Sequence, residues 1–167
     1  MDTDSMDTER QAPQVRAAGV TVAPPDHSSR PFQLAVTREM TASPSALYRA
    51  WTKEWDRWFA VPGTVLMQAR INAPFFFETL FDGERQPHYG RYLRLVRNRL
   101  VEITWLTSAT LGAETVVTLE IGPRRRRTVV QLTHAGFADE AAKNRHEQAW
   151  PKVLEKLDRV LSASQAR

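Results

Sequence analysis

DEAAKNRHEQAWPKVLEKLDRVLS, running from Asp139 to Ser162, is the one stretch of this chain that is both long and periodic. Asp139 and Glu140 supply a helix N-cap and an acidic first turn. Apolar side chains then recur at helical spacing: Ala142, Ala149, Trp150, Val153, Leu154, Leu157, Val160 and Leu161. Lys143, Glu147, Lys152, Glu155, Lys156 and Arg159 occupy the other side. The pattern predicts a helix of about 36 Å with one face to bury. Pro151 lacks the N–H that would reach the Glu147 carbonyl, so a kink or loosened turn is expected over Glu147 to Trp150 rather than a break. His146 and Trp150 are four apart and share a face, either as core or as the lining of an internal pocket.

Working outward, the preceding segments read as short strands. Phe32 to Met40 alternates. Ser43 and Pro44 then start a helix with Leu47, Tyr48 and Trp51 on its apolar side, and a second helical piece with Trp55, Trp58 and Phe59 ends near Pro62-Gly63. Val65 to Ile71, Phe75 to Phe81, Tyr89 to Val96, Leu100 to Thr107, Thr115 to Ile121 and Thr128 to His134 alternate or carry strand-forming residues. Their short connections make neighbours antiparallel. The fold class is α+β: a twisted antiparallel sheet of about six to seven strands curls around the C-terminal helix, with two short helices after the first strand. Such a sheet and a straight helix diverge and leave a cleft between them.

The ends read differently. Gln11 to Pro31 is rich in Pro, Ala, Ser and Thr without periodicity, so residues 1–31 are expected to form a disordered tail, 32–162 the domain and 163–167 a short C-terminal tail. Five acids and three arginines lie within residues 1–30; the whole chain carries +4, so the remainder carries +6. That balance favours acidic partners or solubility. The 167 residues contain no cysteine, which excludes disulfides and thiolate chemistry. There is no long apolar run and no signal-peptide pattern, and the expected location is cytoplasmic.

Candidate binding residues concentrate on the cleft. Trp55, Trp58 and Phe59 would stand near its entrance, Phe75, Phe77 and Trp105 on the sheet, and Phe137, His146 and Trp150 on the helix side. His134 or Thr104 would orient a ligand, and His134 could approach His146 across the cleft. Alternation sets Glu78 and Glu102 on the face opposite the aromatic residues. No nucleophile-plus-base arrangement is present, and no catalytic residue is assigned. The four histidines lack metal-ligand spacing, and the glycines form no phosphate loop. No metal, no cofactor and no nucleic acid is expected; the run Arg124 to Arg127 has no interleaved aromatic and reads as a solvated hairpin tip.

Four motifs in order are similar to one family. They are Thr37-Arg-Glu-Met-Thr-Ala-Ser-Pro44 running into Ala50-Trp51-Thr52 and Trp58-Phe59; Tyr89-Gly-Arg-Tyr-Leu93 with Arg99-Leu-Val-Glu-Ile-Thr-Trp105; Leu132-Thr-His-Ala-Gly-Phe137; and His146-Glu-Gln-Ala-Trp150. Together, over about Phe32 to Leu161, they resemble the activators of the heat-shock-protein-90 ATPase, within the START/Bet v helix-grip superfamily. The resemblance implies a helix-grip fold, and members that serve as co-chaperones, small-molecule binders or resistance proteins. Ala149-Trp150 stands where the family commonly has Gly-Trp, and its methyl is expected to narrow the space over the sheet. The leading expectation is non-enzymatic binding of a small hydrophobic or aromatic molecule in the cavity. The alternatives are a protein-interaction module using the basic surface around Arg91, Arg94, Arg97 and Arg124 to Arg127 or an apolar patch, and a polyketide-type cyclase or dehydratase.

Overall fold

A computed structural model describes residues 22–165. Strand β1 (Phe32–Met40) leads into helix α1 (Pro44–Thr52) and a 3-10 turn at Trp55–Arg57, the first of two, the other being Ser108–Thr110. Strands β2 (Pro74–Phe81), β3 (Glu84–Val96), β4 (Leu100–Trp105), β5 (Thr115–Arg124) and β6 (Arg127–Phe137) follow, and helix α2 (Glu140–Gln165) closes the chain. The six strands form one antiparallel sheet in the order β1-β6-β5-β4-β3-β2. This is the α+β helix-grip arrangement, with the helices against the inner face of the sheet.

The helix starts are set by the residues expected to set them. Ser43 Oγ accepts the Ala46 N–H at 3.2 Å with Pro44 in the first turn, and Asp139 Oδ1 accepts the Ala142 N–H at 2.7 Å. Asp158 ties α2 to the rest: its Oδ1 accepts the N–H groups of Thr41 at 2.8 Å and Ala42 at 3.1 Å, in the turn between β1 and α1. The inner face of the sheet buries Leu34, Val101, Ile103, Val117, Leu119, Val130 and Leu132, and α2 lays Trp150, Leu154, Leu157 and Leu161 over it.

Three expectations are corrected. Val65 to Ile71 alternates but forms no strand: only Leu66 and Ile71 make isolated bridges, to Phe76 and Tyr92, and the chain turns at once through Asn72 at φ +63°. The last helix runs on past Ser162 to Gln165. Ala149 is exposed, so its methyl points to water and does not narrow the space over the sheet. As expected, Pro151 does not break helix α2, which is continuous through it; Pro151 is exposed, and water can serve the Glu147 carbonyl that the proline leaves without a donor.

The expected N-terminal tail lies outside the described residues up to residue 21. Beyond it, 22–31 carries no helix or strand but is strapped to the body. His27 Nε2 and Arg30 Nη2 both bond the Glu114 carbonyl at 3.1 Å, and Arg91 Nη2 donates to the Ala23 carbonyl at 3.3 Å. The His27 ring lies where a side chain at Gly136 would stand, and Gly136 has φ +86°, so both the space and the backbone there require glycine.

Candidate functional site

The aromatic residues picked out from the sequence do come together between the sheet and the helices. Trp55 is at their centre, with ring centroids 4.9 Å from Trp51, 5.0 Å from Trp58, 5.8 Å from Phe59, 5.0 Å from Phe77 and 6.1 Å from Trp105. Trp105 continues to Trp150 at 5.8 Å, and Phe75 stacks on Phe77 at 5.8 Å. These separations are those of rings in contact. All of these rings are buried except Phe59, which is half-buried. At these separations the rings lie against one another and occupy much of the space between sheet and helices. Most of their polar edges are met within the group: Trp55 Nε1 donates to the Trp51 carbonyl and Trp58 Nε1 to the Ala50 carbonyl, each at 2.9 Å. Trp51 Nε1 is buried without a partner among the described residues.

His134 is part of a one-directional chain of hydrogen bonds. The indole N–H of Trp150 donates to His134 Nδ1 at 3.1 Å, His134 Nε2 meets Thr115 Oγ1 at 2.7 Å, and Thr115 Oγ1 donates to the Trp105 carbonyl at 2.5 Å. An indole only donates, so Nδ1 must be bare; the threonine proton is already given away, so Nε2 must carry hydrogen. The chain accommodates one imidazole proton and has no place for a second. Burial, with a smaller contribution from His146, holds the His134 pKa well below its ordinary value. The residue offered as acid or base thus has both nitrogens engaged in holding Trp150 and Trp105, and it fills a structural role.

His134 and His146 approach as expected, with ring centroids 5.0 Å apart and edge to face, while Phe137 lies 4.2 Å from His134 and 4.9 Å from His146. His146 Nδ1 donates to the Ala142 carbonyl at 2.8 Å. A third histidine was not singled out from the sequence. His88, 7% exposed, stacks on Phe77 at 4.9 Å and meets Trp105 edge-on at 4.9 Å and Phe59 at 5.6 Å. Its Nδ1 donates to the Gln86 carbonyl at 2.9 Å. Burial lowers its pKa to about 4 against the raising effect of that bond, with His146 lowering it further. Nε2 of His88 and of His146 has no hydrogen-bond partner among the described residues.

Thr104 does not belong to this group. It alternates with Trp105 on β4, faces the other side of the sheet, and its Oγ1 accepts the Arg91 N–H at 3.0 Å. Glu102 shares that outer face, where it is gripped by Arg94 through two bonds of 2.9 Å and accepts from Thr118 at 2.9 Å. No three His, Asp or Glu side chains among the described residues are grouped to hold a metal ion. No helix among them is long and apolar enough to cross a membrane.

The outer face also carries an apolar strip that alternation alone did not reveal. Leu66 bridges Phe76, Phe76 pairs with Tyr89 at a ring separation of 5.3 Å, and Tyr89 bridges Leu106, so the four form a row across the β2–β3 end of the sheet. Leu80 lies on the same face of β2, and Phe81 is next to it at the hairpin tip. Leu66 is 69% exposed, Leu80 63%, Phe81 73% and Tyr89 48%.

Comparison with known proteins agrees with this geometry. A structure from Chromobacterium violaceum superposes with a TM-score of 0.68 at 22% identity, covering 77% of this chain and 96% of that one. One from Mesorhizobium loti gives 0.67 at 20% identity over 79% and 98%. The solution structure of the Aha1 dimer from Colwellia psychrerythraea gives 0.58 at 17% identity over 78% and 96%. At these identities the likeness concerns the fold. No curated protein sequence matches the chain. The family model described as activator of Hsp90 ATPase homolog 1-like protein matches residues 41–162, and the chain belongs to that family.

Proposed function

We propose that the chain is a protein-binding module of the co-chaperone kind, docking a folded partner on the β2–β3 end of the sheet, on Leu66, Phe76, Leu80 and Tyr89 of the outer face and on Phe81 at the hairpin tip. The observation that carries this reading is the exposure of Leu66, Leu80, Phe81 and Tyr89 at one end of the sheet, beside half-buried Phe76, while the tryptophans are packed away inside. Exposed large apolar side chains gathered at one end of a sheet, here on either side of the Glu78–Arg85 ion pair, mark a surface that another protein can cover. The family description supplies the partner to try, a chaperone ATPase of the heat-shock-protein-90 type. Titration of such a chaperone in a calorimeter is expected to show binding, with L80D combined with F81D weakening it at least tenfold, or about 1.4 kcal/mol, at an unchanged melting temperature. No binding by the unaltered chain, or equal binding by the variant, rejects the reading.

A second reading has its own observation in its favour. Trp51 Nε1 is buried among aromatic rings with no partner among the described residues, and Nε2 of His88 and of His146 has no protein partner there but is not sealed from water. A small flat molecule bearing both a hydrogen-bond donor and an acceptor would satisfy them, and Trp55, Trp58, Phe59, Phe75, Phe77, Trp105, Phe137 and Trp150 would surround it. Since the rings are in contact, such a ligand must displace one of them, and half-buried Phe59 is the one with room to swing outward. Native mass spectrometry of the freshly purified chain tests this: a co-purifying small molecule supports it, and the bare polypeptide mass counts against it.

A further inference from the structure

We propose that the outer face of the sheet holds a second, separate docking site: the groove between the β3–β4 turn and the β5–β6 hairpin binds an acidic peptide segment that also carries aliphatic side chains. The groove encloses about 740 Å³ and is lined by Arg94, Arg99 and Arg124 around an apolar floor of Val96, Leu100 and Val129. Val96 is 48% exposed. Arg97, Arg125 and Arg126 stand in the two turns that form its walls, and Arg127 opens β6 beside them.

The charge on this surface is only partly matched by the protein's own acids. Glu102 pairs with Arg94 at 2.9 Å and Glu39 with Arg124 at 3.2 Å, and Glu120 lies in the groove itself. Among the described residues, no carboxylate lies within 4.0 Å of Arg97, Arg99, Arg125 or Arg126. Guanidinium groups so placed are pre-shaped to take carboxylates through two parallel bonds each.

The lining decides between kinds of anion. No aromatic side chain lines the groove, so bases of a single-stranded nucleic acid would find nothing to stack on. Valine and leucine between the arginines suit aliphatic side chains alternating with acids. A second cavity of about 460 Å³ lies under the 22–30 strap and shares Arg94 with the first; Val22, Pro24, Leu93, Val116 and Ala135 line it together with His27 and with Glu102, whose carboxylate Arg94 already holds. The two adjoin at Arg94 on the outer face and together offer more room than a single small anion needs.

The test is fluorescence polarisation with a labelled peptide of alternating glutamate and leucine, about twelve residues long, against the full chain. Binding is expected, weakening as salt rises because the charges are exposed. The double variant R99E and R124E should weaken it at least tenfold, and R99Q with R124Q by a smaller factor. Arg124 is mostly exposed and its pair with Glu39 is worth little, so the melting temperature should hold. A peptide with lysine in place of glutamate should not bind. The L80D and F81D variant should bind the acidic peptide as the unaltered chain does, which separates this site from the β2–β3 strip. The proposal is overturned if the acidic peptide fails to bind, if both arginine variants bind it unchanged, or if a labelled single-stranded oligonucleotide binds as tightly and competes.

Discussion

Trp55→Ala is expected to cost the fold about 3–5 kcal/mol, the range for removing a buried aromatic side chain from a packed core. Trp55 is fully buried and touches five other aromatic rings, so none of them can move into the gap without losing its own contacts. Against a total stability of order 5–15 kcal/mol, that loss takes away much of the margin. Urea denaturation followed by circular dichroism measures it. Phe81→Ala, at a side chain 73% exposed, should change stability by no more than about 0.5 kcal/mol. Were Trp55→Ala to cost under about 1 kcal/mol, the rings would be lining a space they can collapse into, and the description of a closed stack would be wrong.

Acid should destabilise the protein from near pH 6.5 downward. His88, His134 and His146 all have folded pKa values below the ordinary histidine value, chiefly through burial. The unfolded chain therefore binds protons on these groups at a pH where the fold does not. Stability is complete above about 6.5, falls as the pH drops below it, and levels off for each group once its folded pKa is passed. For His88, lowered to about 4, the loss between pH 6.5 and pH 4 is of order 3 kcal/mol at 1.36 kcal/mol per pKa unit. His134 adds to it, since its chain from Trp150 to Trp105 has no room for a second imidazole proton. Chemical denaturation at stepped pH measures the slope. His88→Phe, which keeps a ring against Phe77 and Trp105, should flatten the acid limb; an acid limb of unchanged steepness would contradict the account.

The element order was legible because two periods dominate the chain. Alternation marked β2, β4, β5 and β6 as strands and set Glu78 and Glu102 on the face opposite Phe75, Phe77 and Trp105, and a spacing of three and four marked α2 with Trp150, Leu154, Leu157 and Leu161 on its apolar side. The caps Ser43 and Asp139 were readable because each is a single local hydrogen bond. Val65 to Ile71 shows the limit of the method: it has the alternation of a strand, but pairing depends on a neighbour, and only isolated bridges join it to the rest. His88 was missed because β3 starts at Glu84, before the apolar run that seemed to open it at Tyr89, and Pro87 disguises the pattern. Counting back by twos from Tyr92 would have placed His88 on the inner face. Thr104 was assigned to the cavity against its own alternation with Trp105, and the structure returns it to the outer face. What no local pattern could show is whether rings facing a common space enclose it or fill it. That depends on side-chain volume summed across α1, the 3-10 turn, three strands and α2.

The most direct test of the central claim, that partners meet this chain on its outer surface and not in its aromatic interior, is amide hydrogen exchange with and without a heat-shock-protein-90-type chaperone. The account predicts slower exchange at Phe76 to Tyr89 and around Leu66, with no change at Trp55 to Phe59 or along Glu140 to Trp150. Protection of those interior segments with the strip unaffected would contradict it.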